Sequence, residues 1–285
     1  MNQHSDTQNH DPFDPAALLK WYIEMGVDEC MAGESIDRYA LSAELLAKRQ
    51  AQAAQHAPAQ SGLARQAQAT PRAEVKATDE MVKTAVSMAA LAENIDQLRD
   101  AVQAFDGCPL KKTAMNTVFA AGNPTADIMF IGEAPEAEED RQGVPFVGPG
   151  GQLLDKMLLS CGLAEELGDR SKVYLSNVLF WRPPGNRPPT PSEISVCLPF
   201  VERHIELVDP KIVVLLGGAA AKAVLGHHEG ISRLRGRWFD HGLPKLSAPV
   251  KATALFHPNY LLRSPAQKRR AWGDLLKITE KLESL

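Results

Sequence analysis

The spacing of apolar residues changes character near residue 108. Before it, Met88, Leu91, Ile95, Leu98, Val102 and Phe105 recur at intervals of three and four, which predicts one amphipathic helix over residues 79–105. After it, short β-rich runs alternate with helical patterns. The runs are Ile128 to Ile131, Val173 to Val178, Ile212 to Leu216 and Ala252 to Phe256, each ending in a turn. Helical spacing returns over residues 151–161, 191–207, 219–225 and 265–282. Two of these begin with capping chemistry, Thr190-Pro191-Ser192-Glu193 and Ser264-Pro265-Ala266-Gln267, each pairing a hydroxyl N-cap with proline at N1 and Glu or Gln at N3. The pattern predicts an α/β fold, a three-layer α/β/α arrangement around a four-stranded parallel sheet, with a helical N-terminal extension.

Three segments follow along the chain. Residues 1–46 form an N-terminal helical segment, with Asp14-Pro15 as its start signal, Leu18, Leu19, Tyr22 and Met25 as its apolar face, and Gly26 as a stop. Residues 47–78 read as a flexible linker, because 13 of the 20 residues from Ala51 to Thr70 are Ala or Gln and supply nothing large to pack. Residues 79–285 form the main domain, led by the helix over 79–105.

Composition narrows the class. With 285 residues and 44% hydrophobic content the chain can bury a sizeable core. Its polar first residues and the lack of an apolar run of about 18 residues point to a cytoplasmic protein without membrane insertion. Cysteines at 30, 108, 161 and 197 lack close C-x-x-C pairing. The net charge of −4 is uneven: residues 1–105 hold 9 Lys/Arg against 15 Asp/Glu, and the remainder holds 22 against 20. A polyanion therefore meets the second part, where Arg233, Arg235 and Arg237, Arg263, and Lys268, Arg269 and Arg270 cluster.

In a parallel sheet all four strand ends face one edge, the usual ligand crevice. That edge gathers Gly132-Glu133-Ala134-Pro135, Asn177, Gly217-Gly218 and His257-Pro258-Asn259, with Glu136, Glu138, Glu139 and Asp140 just beyond the first strand. There is no P-loop and no G-x-S-x-G, and Gly148-Pro149-Gly150-Gly151 lacks dinucleotide spacing. An amide beside a flat ring reads a planar heterocycle, and a histidine opposite a carboxylate suits a cleavage that makes a cation and an anion, such as N-glycosidic hydrolysis.

The ordered set Gly122-Asn123-Pro124, Gly132-Glu133-Ala134-Pro135, Glu139-Asp140, Gly143 with Pro145-Phe146-Val147-Gly148, Asn177-Val178, Arg182-Pro183-Pro184 with Asn186-Arg187, and His257-Pro258 with Tyr260-Leu261-Leu262-Arg263 closely resembles the uracil-DNA glycosylase superfamily, specifically its family four branch. The resemblance implies a monofunctional repair enzyme, acting as a monomer on single-stranded or double-stranded DNA that contains uracil. By resemblance, Phe146 stacks on the base and Asn177 reads its polar edge, with Ala134 and Glu136 beside it. Glu133 or Glu139 orients water, with Asn186 assisting, and His257 supports the departing base. Tyr260 and Leu261 enter the minor groove, while Arg263, Lys268 and Arg269 hold phosphates.

The chain departs from that family in two places. Family four carries a four-iron cluster on four cysteines, whereas here only Cys108 and Cys197 match and Phe105 and Trp181 stand at the other two positions. No iron-sulfur cluster and no other metal or cofactor is therefore expected. Glu136 stands where the family has glycine. The sequence leaves open whether Glu136 or Glu139 crowds C5 of the base to exclude thymine, or whether Glu136 faces solvent. The alternative reading is a non-catalytic module that binds damaged or abasic DNA, and excision by the main domain discriminates the two.

Overall fold

The computed structural model describes residues 71–285. The expected helix at the N-terminus and the expected linker lie outside these residues, apart from the linker's last few positions. Those positions belong to a helix, α1 (Pro71–Leu91), so the boundary expected at residue 79 falls inside it.

The single helix expected over residues 79–105 is two helices, α1 and α2 (Ile95–Ala104). The break is local chemistry. Asn94 leaves helical conformation, and its side-chain oxygen accepts the N–H of Gln97, so a new helix starts although the apolar stripe continues. Arg203 ties the break to the main body by donating to the Ala92 carbonyl from Nε (3.0 Å) and Nη2 (2.7 Å).

The sheet has six strands rather than four. In chain order these are β1 (Ala120–Gly122), β2 (Ile128–Gly132), β3 (Tyr174–Asn177), β4 (Ile212–Leu216), β5 (Trp238–His241) and β6 (Val250–Leu255). Their spatial order is β1-β3-β2-β4-β6-β5. The four expected strands form the parallel centre, and β1 and β5 add antiparallel edges. Both edge strands are short and only partly buried, so they carry little of the apolar signal that marks the central ones.

Strands β2 and β4 are apolar at every position because both faces are covered. Met129 and Ile131 of β2 join one core, under α1, α2 and α5 (Pro191–Val208). Ile128 and Phe130 join the other, under α4 (Pro149–Ser160) and α9 (Lys268–Glu283). The remaining helices are α3 (Ala137–Gln142), α6 (Gly218–Leu225), α7 (Ile231–Leu234) and α8 (Pro258–Arg263).

The capping box at α5 forms as expected. Glu193 N–H donates to Thr190 Oγ1 and Thr190 N–H donates to Glu193 Oε2. The second expected cap does not form. Ser264 makes no side-chain cap bond, and residues 265–267 wind a separate 3₁₀ turn before α9 begins. No described helix is long and apolar enough to cross a membrane.

Candidate active site

Strand β3 lies on one side of β2 and β4 on the other, so the chain reverses direction across the sheet at the carboxyl end of β2. Ligand crevices of open parallel sheets form at such a reversal. A cavity of about 390 Å³ opens there, over the ends of β2, β4 and β6. Glu133, Glu136, Asn186, Arg187, His257 and Asn259 line it, and Ala134, Tyr260 and Arg263 also reach it.

Asn177 and Phe146 are not among the residues that line this cavity; Gly132, the chain neighbour of the lining residue Glu133, is paired with Asn177 across β2 and β3. A Cβ on Gly132 would lie 2.3 Å from Asn177 Oδ1 and 2.7 Å from Phe146 Cζ. The missing side chain is what lets a buried amide and a buried ring converge on one strand end. Phe146 has φ of +56°, a left-handed conformation uncommon for a non-glycine residue. Two fixtures hold it there. Its N–H donates to Glu139 Oε1 at 2.9 Å, and Arg170, paired with Asp155, donates to the Pro145 carbonyl at 3.0 Å.

The five acidic residues from 133 to 140 have separate tasks. Asp140 Oδ1 accepts the backbone N–H groups of Met115 and Asn116. Glu138 pairs with Arg141 and Gln142 at the surface. Glu139, considered above for water activation and for excluding thymine, has both oxygens committed to backbone, Oε1 to Phe146 and Oε2 to the Glu136 N–H at 2.6 Å. Glu136 neither faces free solvent nor stands unpartnered, since Oε1 accepts from Asn259 Nδ2 at 2.5 Å. Glu133 is the carboxylate of the five that makes no hydrogen bond or ion pair with any described residue. Burial, then the negative charge of Glu136, holds its carboxyl above the usual glutamate range.

His257 caps α8, and its Nδ1 accepts the backbone N–H of Asn259 at 3.2 Å. Burial, assisted by the charge of Arg263, pulls its pKa down to about 4. The ring is therefore neutral at pH 7, and with Nδ1 accepting, the proton resides on Nε2. Its centroid lies 6.3 Å from that of Phe146.

Asn186 also reaches the cavity, but its Oδ1 accepts from Arg182 Nε at 2.7 Å, a bond that holds the 183–187 loop. The sequence motif includes Arg187 without giving it a role. The residue lines the cavity, and its guanidinium is gripped at 2.6 and 2.9 Å by both oxygens of Glu193, the residue that also closes the α5 capping box. The acidic N3 position could have revealed that pairing, while Asn259 and Arg170 carried no sequence signal beyond their neighbours.

On the outer side, Leu261 does not present itself for minor-groove entry. It is 1% exposed and packs in the core against the sheet's α4 and α9 face, while Tyr260 (36%) and Leu262 (41%) are the exposed apolar positions of α8. The alternation follows from the helix: α8 is anchored by burying Pro258 and Leu261, which turns Leu262 outward. Arg263, Lys268 and Arg269 are exposed. Lys268 and Arg269 flank a separate apolar groove with Trp272, outside the main cavity.

The four positions that correspond to cluster ligands do come together in one core. Cys108, Cys197, Phe105 and Trp181 are all at most 1% exposed. Phe105 packs edge-on against Phe200 at 5.1 Å, and Trp181 Nε1 donates to Thr117 Oγ1 at 3.0 Å. The hydrogen bond between the two thiols and burial push the Cys197 thiol well above its ordinary value. Two thiols and two rings do not fit a cluster that needs four thiolates. No group of three or more His, Cys, Asp or Glu side chains among the described residues could hold a metal ion.

The family model described as the uracil DNA glycosylase superfamily matches residues 119–276. The Type-4 uracil-DNA glycosylase of Archaeoglobus fulgidus is 37% identical over 192 residues, covering 66% of this chain and 93% of that protein. The Type-4 enzymes of Sulfurisphaera tokodaii and Thermotoga maritima are 34% and 36% identical, covering 66% and 62% of this chain and 84% and 88% of theirs.

Proposed function

Because the chain belongs to the uracil DNA glycosylase superfamily, we propose that it is a repair glycosylase that hydrolyses the N-glycosidic bond of a uracil flipped out of DNA, leaving an abasic site. The flipped base lies against Phe146 and presents its polar edge to Asn177. A donor and acceptor pair built for uracil leaves buried groups unmatched when cytosine enters, which discriminates by as much as roughly 10⁴.

As the C1′–N1 bond lengthens, its electron pair goes to the base and the sugar becomes oxocarbenium-like. The Nε2–H of neutral His257 stabilises the charge arriving on the base. Glu133 orients a water onto C1′ and takes its proton as the new C–O bond forms. No metal or cluster takes part, and because no enzyme nucleophile bonds to C1′, the reaction is monofunctional. Tyr260 and Leu262 fill the gap left by the base, and Arg263, Lys268 and Arg269 contact phosphates, on single-stranded and double-stranded DNA alike.

The observation that carries this reading is the presence, in one cavity, of a carboxylate without a partner among the described residues and a buried histidine whose tautomer is set by its own turn. The test is excision from an end-labelled oligonucleotide containing one deoxyuridine, read on a denaturing gel before and after alkali. Alkali-dependent cleavage is expected from the wild type, with losses of roughly 10²-fold or more for Glu133→Gln and His257→Ala. Absence of cleavage with retained binding to abasic DNA would replace this reading with that of a non-catalytic damage-binding module. An iron assay on the purified chain is expected to find less than one iron per molecule.

A further inference from the structure

We propose that Glu136 is a positioning residue for His257, acting through Asn259. Two bonds of Asn259 carry the connection. Its side-chain Nδ2 donates to Glu136 Oε1 at 2.5 Å, across 123 residues of sequence, and its backbone N–H donates to His257 Nδ1 at 3.2 Å. The residue that selects the histidine tautomer is thus held from the opposite wall of the cavity.

Asn259 has little freedom on its other side. A Cβ on Gly150 would fall 2.0 Å from Asn259 Oδ1, so the amide rests directly on the backbone of α4. Its NH₂ end is left to meet Glu136. Glu136 is fixed in turn, because its N–H donates to Glu139 Oε2, and the other oxygen of Glu139 holds the Phe146 N–H. A continuous series of hydrogen bonds therefore runs from the turn carrying the stacking ring, through Glu139, Glu136 and Asn259, to Nδ1 of His257. It joins the loop after β2 to the loop after β6, the two walls between which the base is held.

Without the Glu136 bond, the Pro258–Asn259 turn loses its tether, and the N–H aimed at Nδ1 drifts. An imidazole no longer offered a donor at Nδ1 populates both neutral tautomers, and the form with Nε2 unprotonated offers nothing to the departing base. Misplacement of about 1 Å in such a group costs on the order of a hundredfold in rate.

This inference rests on the role given to His257 above, but one of its two readouts does not. The first is ¹⁵N chemical shifts of the His257 ring in the full-length chain. Wild type and Glu136→Gln, which keeps an acceptor for Asn259, are expected to show Nδ1 unprotonated and Nε2 protonated, and Glu136→Ala a mixture. The second is steady-state excision. Glu136→Ala is expected to lose roughly tenfold to a hundredfold in kcat with KM changed less, and Glu136→Gln to recover most of that loss.

A wild-type ring pattern in Glu136→Ala overturns the proposal, as does a Glu136→Gln variant with the mixed pattern of the alanine variant. A wild-type chain that shows no excision removes the glycosylase reading and leaves the ring shifts to decide this one. The thermal midpoint of each variant identifies loss of fold, and Asn259→Ala, which removes the same bond from its other end, must reproduce the ring pattern of Glu136→Ala.

Discussion

Adding one methyl group at Gly132 is expected to disable excision while leaving the protein folded. The new Cβ would lie 2.3 Å from Asn177 Oδ1 and 2.7 Å from Phe146 Cζ, against an ordinary contact of 3.4–4 Å. Both neighbours are themselves buried, at 2% and 3% exposure, and neither is the free end of a flexible chain. Asn177 must retreat by about 1 Å, and the ring by somewhat less. Overpacking of this kind costs roughly 1–3 kcal/mol. For a domain of this size that lowers the thermal midpoint by about 2–12 °C. A shift of about 1 Å in groups that orient the substrate costs on the order of 10²-fold in rate. Gly132→Ala is therefore expected to lose about two orders of magnitude in kcat/KM on a deoxyuridine oligonucleotide, with an unchanged far-ultraviolet circular dichroism spectrum. Activity within about threefold of wild type would show that the amide and ring do not bind the base.

Three further outcomes follow from the same geometry. In the proposed reaction Glu133 must be ionised to accept a proton, and burial and Glu136 hold its pKa above the ordinary 4.5, so excision should fall as pH drops through that raised value. Removing the charge in Glu136→Gln should move this acidic limb to lower pH, and a limb that stays in place refutes the assignment. Leu261→Ala should cost about 2–5 kcal/mol of stability in urea unfolding. Leu262→Ala should leave stability unchanged and weaken excision from duplex more than from single strands, and the reverse pattern would restore Leu261 to the DNA side. His204, fully buried with Nε2 3.0 Å from the Tyr174 hydroxyl, has its pKa pulled down to about 3 from 6.5 by burial and then Arg99. Its contribution to stability is complete above pH 6.5 and is lost as pH falls toward that lowered value, by up to about 1.4 kcal/mol per pH unit. Unfolding midpoints measured from pH 7 to 4 should fall less steeply in His204→Phe than in wild type, and equal slopes would sink the argument.

The amino-acid sequence determined the parts of this protein whose physics is local or periodic. Runs apolar at every position, such as Ile128 to Ile131, require a strand covered on both faces, and the spacing around Leu154 and Leu158 requires a helix on one of them. The proline and capping box at Thr190 start α5 where they stand. Given parallel strands, the gathering of Glu133, Asn177 and His257 at one edge follows from connectivity alone. The edge strands β1 and β5 escaped because half-exposed strands of three or four residues carry too little apolar signal, and the break at Asn94 escaped because a side-chain cap can interrupt a helix without disturbing its stripe.

Only the tertiary structure decided which of the carboxylates stays without a partner among the described residues. In sequence the five acidic residues from 133 to 140 are equivalent, since each is a short chain ending in the same group. Glu138 and one oxygen of Glu139 find partners three or four residues away, but the other partners come from Met115, Phe146 and Asn259, at separations from 7 to 123 residues, and no local pattern encodes those. The same holds for Leu261 and Leu262, adjacent and chemically identical, of which helix geometry buries one and exposes the other. Long-range partners are set by how the layers pack, and packing is a property of the whole chain.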